Sequence, residues 1–506
     1  MTNPLHDALI APLAGQDRVL IHRPGRSAVT AAQFHQCVLA SAGALRGLGV
    51  QPGDRVAIQV EKSTDALALI FGAVAAGAVF VPLNPAYTAD EVAYFLGDSG
   101  ARLLVADPVR SDELAPVAAA AGARLETLGA DGQGTLPRAA AAPATDAVPR
   151  ASGDLAALLY TSGTTGRSKG AMLTHDNLLS NAETLAQAWR FGPGDVLLHA
   201  LPIFHTHGLF VATNTVLISG GSMIVLPRFD VGAVLDALPR ATVMMGVPTF
   251  YTRLLADARL TRDAVAHMRL FTSGSAPLLA ETHDAFAART GHMILERYGM
   301  TETNMSTSNP YDGARRAGTV GPPLPGVEVA ITDPDTGAPL PDGATGMIEV
   351  RGRNVFAGYW KMPDKTAAEL RESGFFITGD LGLVDADGYL HIVGRGKDLI
   401  ISGGFNVYPR EVEALLDEAE AVAESAVIGV PHPDFGEAVL AVIVPAPGTT
   451  PDPAALAGLL AGRIARYKAP KGFEIVDALP RNAMGKVQKA ALRARYAHSF
   501  TSGETA

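Results

Sequence analysis

One cysteine in 506 residues cannot form an intramolecular disulfide, nor can it supply a cysteine-ligated metal centre. Cys37 has no charged cluster around it in sequence and reads as a small buried hydrophobe; so thiol-poor a chain suits a reducing cytoplasm. Basic charge is also short, with Lys+Arg 41 against Asp+Glu 51 and a formal net charge of -10. That balance argues against nucleic acid or an anionic membrane surface as a partner. The longest apolar run, Ala66 to Leu83, is alanine-rich and broken by Gly72 and Gly77. It reads as a helix stopped near Gly77 followed by a buried strand, AVFVPL, and not as a membrane insertion. The first residues, MTNPLHDALIAPLAG, lack a basic segment leading into an apolar one, so no secretory signal is expected.

What is present is the composition of a large globular α/β protein: 48% hydrophobic, Gly 53 and Pro 34. The length exceeds what a single core organises and predicts two or more domains. Between Arg18 and Ala106, helical patterns alternate with the strand-like runs DRVAIQV, AVFVPL and ARLLVA. Pro137 to Gly153 is Ala/Pro-rich and reads as a linker or surface loop. Alternation resumes at Leu155, which predicts two α/β lobes in the first 330 residues. From Gly346 the strands GMIEVRG and GYLHIVG, separated by Gly and Asp turns, predict a small β-barrel-like or sheet subdomain. A break near Gly394 to Asp398 divides a large N-terminal domain, 1–395, from a small C-terminal α/β domain, 396–506.

The densest chemical signal is TSGTTGRSKG, Thr161 to Gly170, directly after a buried strand. Its glycines, Gly163 and Gly166, let backbone N–H groups approach an anion; Thr161, Ser162, Thr164 and Thr165 add hydroxyl donors, and Lys169 a compact positive charge. It is not a Walker A loop, because the glycine spacing is three and the lysine is followed by Gly170. A flexible turn explains the composition of such a cluster equally well. The following AMLTHDNLL reads as a strand and then a helix capped near Thr174 or Asp176.

Taken with ERYGMTET (Glu296 to Thr303), TGDLG (Thr378 to Gly382), GRGKDLI (Gly394 to Ile400) and PRNAMGKVQK (Pro480 to Lys489), the chain resembles the acyl-adenylate-forming superfamily of acyl-CoA synthetases, luciferases and adenylation domains. The resemblance implies ATP, Mg2+ and coenzyme A as reactants. It implies Tyr298 stacking on adenine beside Gly274, Ser275 and Ala276, with Glu296, Arg297, Gly299 and Met300 in the same nucleotide-binding stretch. Asp380 accepts from the ribose hydroxyls and Arg395 holds the sugar, roles suited to a carboxylate and a guanidinium. Thr301 donates to the α-phosphate, Glu302 is the magnesium ligand, and Lys486 bridges carboxylate and α-phosphate as charge accumulates. The small C-terminal domain is implied to be mobile about a hinge at Lys397, with Gly403, Gly404 and Phe405 near the thiol of coenzyme A. Lys486 is an expected target for a lysine acetyltransferase and deacetylase.

Within the superfamily, HALPIFHTHGLF (His199 to Phe210), GVPTFYTRLL (Gly246 to Leu255) and YGMTETNMSTSNPYDG (Tyr298 to Gly313) resemble the malonyl-CoA synthetases. That likeness implies Arg253 and Ser275 on the free carboxylate of malonate, His205, Thr206 and His207 on the adjoining wall, with His205 also counted among the catalytic residues, and Met305 as the pocket floor. A second carboxylate buried without a cation is costly, so Arg253 is expected at the far end of a closed pocket. Methylmalonate is expected as a poorer substrate. The rival expectations are another short-chain acyl-CoA synthetase and a stand-alone adenylating enzyme that loads a carrier protein.

Overall fold

The computed structural model describes residues 2–500 except 139–143, 145, 162–167, 403–404, 433–434, 462, 465 and 483–484. Ser162, Gly163, Thr164, Thr165, Gly166, Gly403 and Gly404, all singled out above, therefore lie outside the described residues, as does the side chain of Phe405. Two mostly parallel sheets form the first 308 residues. In the first, five parallel strands run in the order Arg124–Thr127, Leu103–Ala106, Arg55–Gln59, Val79–Pro82 and Leu155–Thr161, and Lys169–Thr174 closes the edge antiparallel. In the second, a parallel core from Val19–His22 to Leu295–Met300 ends in the antiparallel strand Asn304–Ser308. Each sheet thus finishes in a hairpin, one spanning the glycine-rich loop and the other the Met300–Asn304 turn.

The apolar run at Ala66 folds as anticipated. Ser63 caps the helix Thr64–Ala75, whose residues are buried all round except Asp65, and Gly77 in the left-handed region (φ 72) turns the chain into Val79–Pro82. A helix hydrophobic on every face belongs in a core; no described helix is long and apolar enough to cross a membrane. Thr174 caps the helix His175–Ala188 in a reciprocal capping box with Asn177. Cys37 is only half-buried, because it lies on the flank of its helix and packs against the core instead of within it. The stretch 146–153 holds no helix or strand and is tied to the first lobe by the Val148 N–H to the Ala75 carbonyl, 2.8 Å.

The glycine-punctuated strands after Gly346 belong to a four-stranded antiparallel sheet, Val327–Thr332, Gly346–Gly352, Phe376–Val384 and Leu390–Arg395. A further five-stranded sheet with its own apolar core is built from residues 400–475, and helices Pro409–Leu416, Pro453–Leu460 and Lys489–Arg495 lie beside it.

A buried lysine joins the two large lobes. Lys62, just past the strand Arg55–Gln59, donates to the carbonyls of His199 and Leu201, both 2.8 Å, and its Nζ lies 2.9 Å from His199 Nδ1. All three neighbours are neutral, and burial pushes the ammonium well below its usual pKa. The loop it holds carries His205, Thr206 and His207.

Helices Ala31–Gly47 and Thr64–Ala75 approach most closely at Gly72, where a Cβ would come within 2.5 Å of Ser41 Cβ. Gly72→Val should therefore destabilise the chain by about 1–3 kcal/mol through overpacking. A lowered denaturant midpoint with unchanged substrate KM values is the expected result; an unchanged midpoint would mean the helices can separate without cost.

Candidate active site

The hairpin Leu295–Met300/Asn304–Ser308 sorts its residues by strand alternation: Glu296 and Tyr298 project to one side, Arg297 to the other. Gly299 is required here, since a Cβ would collide with the Asn304 carbonyl at 1.7 Å. Tyr298 is buried, and its hydroxyl donates to Asp380 Oδ2 at 2.6 Å. Asp380 Oδ1 in turn pairs with Arg395 Nε at 2.8 Å, the two residues facing each other across neighbouring strands. Three residues far apart in sequence thus form one slot: an aromatic ring, a carboxylate and a guanidinium. Glu296 is buried near this slot, and loss of hydration raises its carboxyl to about 8.

Arg297, placed by its motif with the nucleotide residues, faces the other way. Its guanidinium lies against Gly274, where a Cβ would stand 2.2 Å from Nη1 and would displace it. Arg297 is 3% exposed, its Nε and Nη2 have no hydrogen-bond partner, and no carboxylate pairs with it among the described residues. Burial lowers its pKa to about 9. The same positive charge, after burial itself, depresses His205, to about 4, and His207, so both imidazoles are neutral at pH 7. His205 Nδ1 accepts from the His207 N–H at 3.2 Å, and His207 Nδ1 lies 3.2 Å from Ser275 Oγ. Ser275 holds a left-handed backbone (φ 71), strained for a non-glycine residue. His207 Nε2, Thr206 Oγ1 and Ser273 Oγ are buried without partners. Met305, 2% exposed, reaches Gly299 with its methyl group. Together these form a buried polar cluster around one cation that has no carboxylate partner among the described residues.

Glu302 sits in the turn beyond Thr301, buried, and its Oε1 accepts from the hydroxyls of Tyr359 (3.1 Å) and Thr161 (3.5 Å). Burial raises its carboxyl, with Tyr359 and Lys169 opposing. Lys169 Nζ lies 4.4 Å from the Tyr359 ring centroid and 3.7 Å from Glu369 Oε2. Neither Tyr359 nor Glu369 was marked by sequence; the GYW string around Tyr359 carries no chemical pattern of its own.

Lys486 enters from the C-terminal sheet's side. Its N–H donates to Asn482 Oδ1 at 2.9 Å, and Gly485 (φ 75) lies against Thr249 at the start of helix Pro248–Leu255. Lys486 is exposed as a residue, but desolvation at its ammonium and then the nearby Arg395 lower its pKa to about 8, with Asp380 opposing; Lys486 also acts on His205. It is therefore within electrostatic reach of both the Asp380–Arg395 pair and His205. Lys397 is close to Asp398, Arg395 and Arg493, and burial lowers its pKa.

Arg253 departs from expectation. It is exposed and makes no hydrogen bond or ion pair among the described residues, so it is not a cation closed within a pocket. The reason is its place on the helix: Tyr251 and Leu254 take the buried face. One turn earlier on Arg253's own face, Thr249 touches Gly485, so Arg253 stands at the rim of the cleft beside the Lys486 loop.

A family model described as AMP-binding enzyme matches residues 12–360, and one for the AMP-binding enzyme C-terminal domain matches residues 411–486. A feruloyl-CoA synthase of Amycolatopsis sp is 40% identical over 478 residues, 94% of this chain and 95% of that protein. A malonate--CoA ligase of Arabidopsis thaliana is 36% identical, covering 88% of this chain and 79% of that one. ATP-bound MatB from Rhodopseudomonas palustris superposes with a TM-score of 0.97 at 56% identity, over 99% of this chain and 100% of that one. The apo form of MatB gives 0.86. These matches span nearly the whole chain, which belongs to the AMP-binding enzyme family.

Proposed function

We propose that the chain uses ATP to ligate malonate to coenzyme A through a malonyl-adenylate, giving malonyl-CoA, AMP and pyrophosphate. The observation that carries malonate is Arg297: a buried guanidinium with two unpartnered nitrogens and no counter-charge among the described residues invites an anionic substrate group. An aromatic acid such as ferulate would leave that cation stranded, whereas the distal carboxylate of malonate neutralises it. MatB, a malonyl-CoA synthetase, and the malonate--CoA ligase relative support the same substrate. Ser275 and neutral His205 and His207 supply hydrogen bonds, Thr206 and Met305 limit the space at C2, and Arg253 adds charge at the rim. Methylmalonate is accommodated less well.

Tyr298 stacks on adenine, with Gly274 and Ala276 on the slot wall, and Asp380 and Arg395 hold the ribose. With one contact on each oxygen, to Tyr298 and Arg395, Asp380 keeps acceptor sites for the sugar hydroxyls. Thr301 and Lys169 bind phosphate oxygens. Glu302 fits Mg2+: it is a buried carboxylate with no lysine or arginine paired to it among the described residues. The ion would offset phosphate charge and leave the α-phosphorus open to attack. Lys486 places its charge where the malonate oxygen meets the α-phosphate, aiding the transition state more than the ground state.

The higher TM-score to ATP-bound than to apo MatB supports a closed arrangement suited to adenylation. We assign 1–395 and 396–506 as the two moving parts, with Lys397 at the hinge. Rotation withdraws Lys486 and brings Gly403, Gly404 and Phe405 toward the thiol. A cytoplasmic location and acetylation of Lys486 by a lysine acetyltransferase, reversed by a deacetylase, complete the reading.

Among short mono- and dicarboxylic acids assayed with ATP, Mg2+ and coenzyme A, malonate should give the highest kcat/KM; a win for octanoate or ferulate would overturn the assignment. Arg297→Met should lower kcat/KM for malonate by roughly thirty-fold to several-thousand-fold, the loss of about 2–5 kcal/mol expected when one member of a buried charge pair is removed. Propionate should be little affected. Because the variant removes an uncompensated buried charge, its unfolding midpoint should hold or rise; a fall for both acids together with a lower midpoint would mean misfolding. Arg253→Ala, at a solvated rim position, should cost about three- to thirty-fold on malonate alone.

Lys486→Ala should abolish adenylate formation and spare thioester formation from preformed malonyl-adenylate. The acting species is the ammonium, so kcat/KM for adenylation should fall as pH rises through about 8. A half-reaction assay with no such alkaline limb would place the charge elsewhere.

A further inference from the structure

Lys169 and Glu302 carry opposite charges in the same buried region, yet they do not form an ion pair. Tyr359 lies between them. Its ring face receives Lys169 Nζ at 4.4 Å, its hydroxyl donates to Glu302 Oε1 at 3.1 Å, and it is 2% exposed. The segment around it is fixed to both charged groups through the backbone. The Phe356 N–H donates to the carbonyl of Glu302 (2.8 Å), while Ala357 N–H to Met172 (2.9 Å) and Trp360 N–H to Gly170 (2.8 Å) tie it to the strand that starts at Lys169. Phe356 packs edge-on against the Tyr359 ring at 4.8 Å and prevents it from rotating away. Glu369, itself paired with Lys365 at 2.5 Å, lies 3.7 Å from Lys169 Nζ and also acts on the Tyr359 hydroxyl.

Resting on the nucleotide-site reading above, we propose that Tyr359 is a positioning residue that insulates the two charges. A lysine and a carboxylate brought into direct contact here would neutralise each other, and each would have to be pulled apart before binding its own ligand. The aromatic face gives Lys169 a weak, easily surrendered partner through its quadrupole, so the ammonium stays available to a phosphate. The hydroxyl fixes one carboxylate oxygen of Glu302 and leaves the group oriented toward a divalent cation, as partners behind metal ligands commonly do. One side chain thereby keeps an anion site and a cation site separate at contact distance.

Calorimetric titration of ATP into the full chain, with EDTA and then with Mg2+, tests this without relying on turnover. Tyr359→Phe keeps the ring and removes the hydroxyl; its metal-free ATP affinity should stay within about two-fold of the wild type, while the gain on adding Mg2+ shrinks about ten-fold. Tyr359→Leu removes the ring, so Lys169 closes on Glu302 and metal-free ATP affinity should fall about ten-fold. Adding Glu302→Gln to that variant removes the carboxylate the ring had kept away, leaves Lys169 only its wild-type contact with Glu369, and should restore metal-free binding. The proposal is overturned if Tyr359→Leu binds metal-free ATP like the wild type, if Glu302→Gln fails to restore it, or if Tyr359→Phe weakens ATP with and without Mg2+ equally. Should Tyr359→Leu not fold, the Tyr359→Phe pair of titrations decides alone. A wild-type chain that binds no ATP at all would instead reject the nucleotide-site reading itself.

Discussion

A carboxylate has to be brought against a triphosphate, anion against anion, and the architecture follows from that repulsion. The answer is a set of positive groups gathered within electrostatic reach of one another. Arg297 has no carboxylate partner among the described residues, Lys486 lies under the influence of Arg395, and Lys169 rests on an aromatic ring. Burial lowers the first two to about 9 and about 8, a sign that the fold holds these charges against their own hydration. Such charges are unfavourable for folding alone and become favourable when the reactants arrive.

The scaffold that bears this cost is rigid where the charges are attached. Both large sheets have parallel centres and end in antiparallel hairpins, and the hairpins carry Lys169, Arg297, Tyr298 and Glu302. A strand anchored on both sides of a core fixes a side chain more tightly than a loop does. Lys62 adds a cross-lobe tie, fastening the histidine loop to the first sheet through two carbonyls and an imidazole.

Much of this was legible in the chain. Periodicity gave the alternating lobes, and the glycine stop after Ala75 was readable because φ 72 at Gly77 needs that residue. The slot of Tyr298, Asp380 and Arg395 was carried by short motifs, each a strand residue whose neighbours fix its direction. Arg297 was misplaced because a motif reports adjacency along the chain, while alternate strand residues face opposite ways. Arg253 was expected at the closed end of a pocket from the resemblance and from the need to pair a second carboxylate, but an eight-residue helix with Tyr251 and Leu254 inward leaves it in solvent. The absence of a counter-charge around Arg297 among the described residues and the wedge formed by Tyr359 are tertiary facts that no spacing in the sequence encodes. Lys62 likewise looked like any lysine at the end of a strand.

The depressed basicity of Lys486 also has a consequence for reactivity. An ordinary lysine is an unreactive ammonium ion at neutral pH, with fewer than about one in a thousand molecules carrying a free amine. With its pKa at about 8, roughly a tenth of the Lys486 side chains are unprotonated at pH 7 and able to attack an electrophilic carbonyl. The desolvation that lowers the basicity of this nitrogen therefore also makes it more nucleophilic than an ordinary surface lysine.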